Sequence, residues 1–216
     1  MANILLGVTG SVAAIRTPAL HAALTEAGHA LKIVATTAAL YFFDAKSLPP
    51  GVLHIDADEW PRRAEGWFYQ RDDPVLHIEL RRWAELFLIA PMDANTLAKA
   101  ACGLADNCLT CVWRAWDPAR PVVLAPAMNT LMWEHPLTSR HLGQLSDDAG
   151  AGPIPPGFDL DGLITWINSR CPRLRVVAPQ SKRLACGDVG VGAMAALEEI
   201  AAAVSGLSGG TLSPSP

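Results

Sequence analysis

Apolar and polar positions alternate on two length scales along this chain. Asn3-Ile-Leu-Leu-Gly-Val-Thr9 is a continuous apolar run that stops at Gly10-Ser11. Residues 12–26 then carry apolar side chains three and four apart, the spacing of a helix with one buried face. Ser11 suits the helix N-cap and Gly28 its end. Pro18 lies too deep for the first turn, so the pattern predicts a bend or a delayed start. The same alternation recurs downstream. Strands are predicted over 29–35, 86–90 and 121–125, with Pro91 stopping the run at 86–90. Helices are predicted over 74–83, 97–105, 136–145 and 193–204, with a short one at 38–43 and a continuation over 109–116. Residues 48–71 are irregular. They hold Pro49-Pro50-Gly51 and the acidic Asp56-Ala-Asp-Glu59, and predict a loop with one short strand over 52–55.

Apolar runs of this length have no polar face, so both sides of each strand must be covered. Alternated with helices, they specify a parallel sheet between two helical layers. The expected fold class is α/β, a Rossmann-like three-layer α/β/α arrangement. Residues 1–205 form one domain, and the Pro- and Gly-rich residues 206–216 read as a disordered tail. In such sheets ligands sit beyond the carboxyl ends of the strands. Here those ends carry Gly10-Ser11, Thr36-Thr37, Asp93-Ala-Asn-Thr96 and Pro126-Ala-Met-Asn129, all small or hydrogen-bonding residues along one rim.

Composition narrows the classes. Of the 216 residues half are hydrophobic and 18% are charged, which suits a folded core. The net charge of −4 does not favour a nucleic-acid partner. No basic-then-apolar leader opens the chain, and no apolar run is long enough to span a membrane. Five cysteines are scattered at 102, 108, 111, 171 and 186. Reduced thiols in the cytoplasm are the simplest account. Cys108 and Cys111 form a CxxC without a second pair and read as small buried hydrophobes; no metal site is expected.

Several residues invite chemistry. The turn at Gly10-Ser11 offers backbone N–H groups and a hydroxyl to a phosphate. Many strand-to-helix turns look like this with nothing bound. A mononucleotide such as FMN fits better than a dinucleotide, because no acidic residue stands at a ribose position. Asp93-Ala-Asn-Thr96 reads either as ligand contacts or as a helix cap. His77 reads as a base or as a satisfied, partly buried histidine. Asn129 reads as a ligand contact or a turn residue. Leu184-Ala-Cys186-Gly-Asp-Val-Gly-Val-Gly-Ala-Met194 holds a cysteine among three glycines and a carboxylate. On composition alone it is equally a surface turn and a site loop.

Five segments coincide with one family. Val8-Thr-Gly-Ser-Val12, Asp73-Pro-Val-Leu-His77, Ala90-Pro-Met-Asp-Ala-Asn-Thr96, Pro126-Ala-Met-Asn-Thr-Leu-Met-Trp133 and residues 184–194 resemble the phosphopantothenoylcysteine decarboxylases. These belong to the homo-oligomeric flavin-containing cysteine decarboxylases. The similarity runs in order from about residue 3 to about residue 204. It implies a flavodoxin-like fold and a cytoplasmic homotrimer that binds FMN and serves coenzyme A biosynthesis. The flavin contacts implied are Gly10, Ser11, Val12, Thr36, Thr37, Asp93, Ala94, Asn95, Thr96 and Ala127. Members often carry serine at the position of Asp93, so that contact is expected to run through the backbone. His77 is implied as catalytic base, reaching the flavin of a neighbouring subunit. Asn129 would hold the substrate carboxylate. Residues 182–194 would close over the substrate as a flap, with Lys182, Ala185, Gly187 and Met194 in contact and Cys186 as proton donor. In the family the substrate thiol is oxidised to a thioaldehyde, carbon dioxide leaves to give an enethiolate, and protonation and reduction follow. One departure stands out: residues 157–178 have no counterpart and read as an insertion before the flap, its conformation open. Only one of the stretches 152–155 and 175–178 is expected in the sheet. A phosphatase-regulatory paralogue, a peptidyl-cysteine decarboxylase and a flavodoxin-like electron carrier are the alternatives. The retained His77, Asn129 and Cys186 speak against them.

Overall fold

The computed structural model describes residues 1–183 and 189–208. The chain opens with β1 (Asn3–Val8), a 3-10 turn (Val12–Arg16), α1 (Thr17–Glu26) and β2 (Ala30–Ala35). There follow β3 (Leu53–Ile55), α2 (Asp56–Glu59), α3 (Leu76–Trp83), β4 (Leu86–Met92), α4 (Ala94–Cys102) and α5 (Cys108–Arg114). Then come β5 (Val122–Pro126), α6 (Thr130–Trp133), α7 (Pro136–Asp148), α8 (Leu160–Arg170) and β6 (Leu174–Val176). A hairpin of β7 (Gln180–Arg183) and β8 (Val189–Ala193) leads into α9 (Leu197–Ser208).

Six strands form one sheet in the order β3-β2-β1-β4-β5-β6, and every pairing is parallel. The chain winds outward from β1 to β3, crosses back to β4 beside β1, and winds outward the other way. The reversal falls between β1 and β4, and a crevice opens there beyond the strand ends. The buried strands divide their side chains between two cores. Leu5, Phe87, Ile89 and Leu124 meet Leu80 of α3, Leu97 of α4, Leu109 of α5 and Leu142 of α7. Ile4, Leu6, Val8, Leu88 and Val123 meet Leu20 and Leu24 of α1 and Ile200 and Val204 of α9. Each fully buried aliphatic side chain contributes roughly 1.5–3 kcal/mol.

The α/β class and the parallel sheet agree with the sequence pattern; several boundaries differ. The first helix starts late, with the proline in the opening turn of α1, where its missing N–H costs nothing. Pro91 does not stop its strand. β4 runs on to Met92, and the pairing with β5 shifts register between Ile89 and Met92, so the proline falls where the ladder is already interrupted. Residues 109–116 do not continue the preceding helix: Gly103 ends α4 in the left-handed conformation, and Asn107 caps α5 anew. The last helix begins at Leu197, not at 193. Residues 189–193 are extended because they pair antiparallel with 180–183. Residues 206–208 belong to this helix, and 209–216 lie outside the described residues.

The stretch over 157–178 is neither a surface loop nor unstructured. Asp159 caps α8 by accepting the Gly162 N–H, and Leu163, Ile164 and Ile167 enter the first core. Of the two candidate last strands, Leu174–Val176 takes the place, beside β5. Asn168 ties helix to strand. Its Nδ2 donates to the Val176 carbonyl at 2.9 Å, and its Oδ1 accepts the Val176 N–H at 2.8 Å.

Candidate functional site

A cavity of about 730 Å³ opens at the sheet reversal. Three strand ends and the hairpin build it. Gly10, Ser11 and Val12 follow β1; Asp93, Ala94 and Asn95 follow β4; Ala127, Met128 and Asn129 follow β5; Gly192 and Met194 close one side. Phe42, Ile15 and Met132 make much of the remaining wall apolar, and Arg16 contributes a cation.

Local chemistry fixes these ends. The Ser11 N–H donates to the Thr9 carbonyl at 2.8 Å, and the Ser11 Oγ caps the 3-10 turn by accepting from Ala13 N. A Cβ at Gly10 would stand 2.7 Å from the Ala38 Cβ, so the close approach of these two loops requires glycine. Thr9 Oγ1 donates to the Pro91 carbonyl and accepts from Asp93 N, tying the ends of β1 and β4 together. Asp93 Oδ1 accepts the Thr96 N–H at 2.7 Å, so this carboxylate caps α4. Asn129 Oδ1 accepts the Leu131 N–H at 2.9 Å and caps α6. The Met128 N–H donates to the Gly192 carbonyl, which holds the hairpin against the end of β5. At Gly192 φ is +144°, and a Cβ would collide with the Met128 carbonyl.

The structure thus gathers Gly10, Ser11, Val12, Asp93, Ala94, Asn95, Ala127, Asn129 and Met194 around one space. Thr36, Thr37 and Thr96 are set apart from that lining. Thr36 is buried beside β1 and Thr96 within α4. Thr37 turns to α2, its N–H and Oγ1 both donating to Asp56 Oδ2 at 3.2 and 2.9 Å. Lys182 lies on β7, while Ala185, Cys186 and Gly187 lie outside the described residues.

His77 is not among the cavity's lining residues. It sits in the first turn of α3 and packs against Glu59 of α2. Glu59 Oε2 accepts the His77 backbone N–H at 3.0 Å, and Oε1 lies 2.5 Å from Nδ1. The Glu59 side chain is only 4% exposed, whereas that of His77 is 23% exposed. The Cys108 thiol lies within the field of the Glu59 carboxylate. Burial first, and the nearby carboxylates second, push this thiol well above its ordinary range, so it stays protonated. Asp56 completes the set, its other oxygen accepting the Cys108 N–H at 3.0 Å. Cys108 and Cys111 therefore belong to core and helix wall, with no disulfide, and no group of three metal-ligating side chains occurs among the described residues.

Comparison with known proteins places this geometry. The model of the Flavoprotein family matches residues 1–209. The chain is 45% identical over 203 residues to the phosphopantothenoylcysteine decarboxylase of Mus musculus, covering 94% of this chain and 85% of that one. It is 47% identical to a phosphopantothenoylcysteine decarboxylase of Arabidopsis thaliana, covering 89% and 78%. The chain belongs to the phosphopantothenoylcysteine decarboxylase family of flavoproteins. Two solved structures share its fold. A decarboxylase mutant complexed with pantothenoylaminoethenethiol superposes with a TM-score of 0.75 at 42% identity, covering 94% of this chain and 96% of that one. The FMN binding protein AtHal3 superposes at 0.71 with 44% identity, covering 94% and 95%. Among the described residues no helix is long and apolar enough to cross a membrane.

The residues that sequence reading missed in this decarboxylase-family fold are Glu59 and Asp56. They stand three apart directly after β3, the spacing that puts two side chains on one turn. The pattern over 48–71 predicts a loop with one short strand; the strand is present as β3, and the α2 turn that follows it leaves no periodic signal.

Proposed function

We propose that the chain is a carboxy-lyase that uses FMN to convert 4'-phosphopantothenoylcysteine to 4'-phosphopantetheine. The observation that carries this reading is the cavity at the sheet reversal. Its volume suits a nucleotide-sized ligand. Gly10 lets backbone approach the ligand, and the Ser11 turn and Asn95 supply hydrogen-bonding groups beside apolar walls. These residues fit FMN, whose bound ring would take electrons from the substrate thiol and return them after carbon dioxide has left.

The chain's own groups supply the rest. Asn129, fixed by its cap on α6, holds the substrate carboxylate next to the cavity. His77 takes a proton from the substrate as it is oxidised, and the thioaldehyde so formed is set to lose carbon dioxide. Cys186 protonates the enethiolate that results. The β7–β8 hairpin excludes water, with Gly192 and Met194 on the cavity wall. His77 does not line the chain's own cavity, so in this reading it serves the cavity of a neighbouring copy in a homotrimer. A flavin spectrum at about three times the 23.0 kDa chain mass is expected. Incubation with 4'-phosphopantothenoylcysteine should release carbon dioxide and 4'-phosphopantetheine. A flavin-loaded oligomer that leaves this substrate unchanged would overturn the reading.

A further inference from the structure

We propose that Glu59 is the positioning residue that sets the tautomer of His77, placing its proton on Nδ1 and its lone pair on Nε2. This rests on His77 acting as the base of the proposed decarboxylation.

Two bonds to one carboxylate carry the argument. Glu59 holds the His77 main chain through Oε2 and the ring through Oε1. A carboxylate is acceptor-only, so Nδ1 must be the donor. Neutral His77 then has one basic nitrogen, Nε2, on the side of the ring away from Glu59. The ring cannot swing out without breaking its Nδ1 contact, while the main-chain bond keeps the carboxylate in place beside it. When Nε2 takes a proton, the imidazolium keeps its partner, a charge-assisted bond to a nearly buried oxygen. Asp56 anchors the arrangement at both ends, to Thr37 beyond β2 and to Cys108 N at the start of α5. The pair is thereby built into the sheet rim and does not depend on a flexible loop.

Glu59→Gln tests this with almost no change of shape. The His77 N–H can only donate, so the carboxamide oxygen must face it. The carboxamide NH2 then faces Nδ1, which must accept, and the proton moves to Nε2. We expect nitrogen NMR of 15N-histidine-labelled, flavin-loaded protein to show Nδ1–H in the parent and Nε2–H in the variant. Carbon dioxide release from 4'-phosphopantothenoylcysteine should fall about 100-fold to 10,000-fold in kcat, with KM and flavin content retained. Glu59→Asp, whose shortened carboxylate remains acceptor-only, should keep the Nδ1–H signal and more of the turnover than Glu59→Gln. An Nδ1–H signal or parent turnover in Glu59→Gln would overturn the proposal. His77→Gln separates this from the functional reading. If His77→Gln still releases carbon dioxide, the base assignment fails, whatever Glu59 does. If His77→Gln is inactive while Glu59→Gln turns over normally, only the positioning role fails.

Discussion

The flavin-sized cavity and the His77 cluster stand on the same rim of one sheet but are made differently. The cavity is a gap between loops. Its shape comes from strand ends held by backbone bonds, and its side chains, apart from Arg16 and Asp93, are neutral. The His77 cluster is a filled site, in which the side chains of Asp56, Glu59 and His77 bond to one another or to the main chain of α3 and α5. The first is built to bind and the second to hold one imidazole still. A chain that separates the two completes its chemistry only when something brings them together, which is why the oligomer matters to the proposed function.

Three substitutions test this separation, in order of expected effect. His77→Asn should reduce carbon dioxide release roughly 100-fold to 10,000-fold, the usual contribution of a positioned base. The flavin absorbance of the purified variant should not change, since His77 does not line the cavity of its own chain. Loss of flavin with the histidine would merge the two regions. Gly10→Ala acts the opposite way. The added methyl meets Ala38 and forces the loops apart, an overpacking of about 1–3 kcal/mol, or roughly tenfold to a hundredfold in FMN affinity. A flavin titration checks it, and the Glu59–His77 pair should keep its NMR signature. Asn168→Ala should touch neither region. It removes the two bonds between α8 and β6, and should cost about 1–3 kcal/mol in denaturant unfolding with flavin content and turnover kept.

That last variant also marks how far the sequence was readable. Continuous apolar runs revealed the parallel sheet, because a strand buried on both faces cannot hide its composition. The cavity followed from small residues at strand ends such as Gly10-Ser11 and Asp93-Ala-Asn. Elements depending on distant partners were not legible. β8 carries Gly190 and Gly192 in a stretch that continues smoothly into helical spacing, and only pairing with 180–183 makes it extended. Residues 157–178 show their helix–strand role only once Asn168 is seen to clasp Val176. Glu59 looked like one acid among several because its meaning lies in reaching His77, 18 residues away. Thr37 read as part of the flavin rim, yet its bonds go to Asp56, which belongs to the second region.

The central claim is that one chain's cavity works with another chain's His77. Subunit mixing tests it most directly. His77→Asn keeps an intact cavity and lacks the imidazole; Asn129→Ala keeps the imidazole and lacks the substrate contact. Each should be inactive alone. Dissociated, mixed in equal amounts and reassembled, they should recover about a quarter of the parent rate with 4'-phosphopantothenoylcysteine, the share of sites that pair one good cavity with one good histidine. Mixed oligomers that stay as inactive as their parents would show that cavity and histidine act within one chain, and would contradict the account.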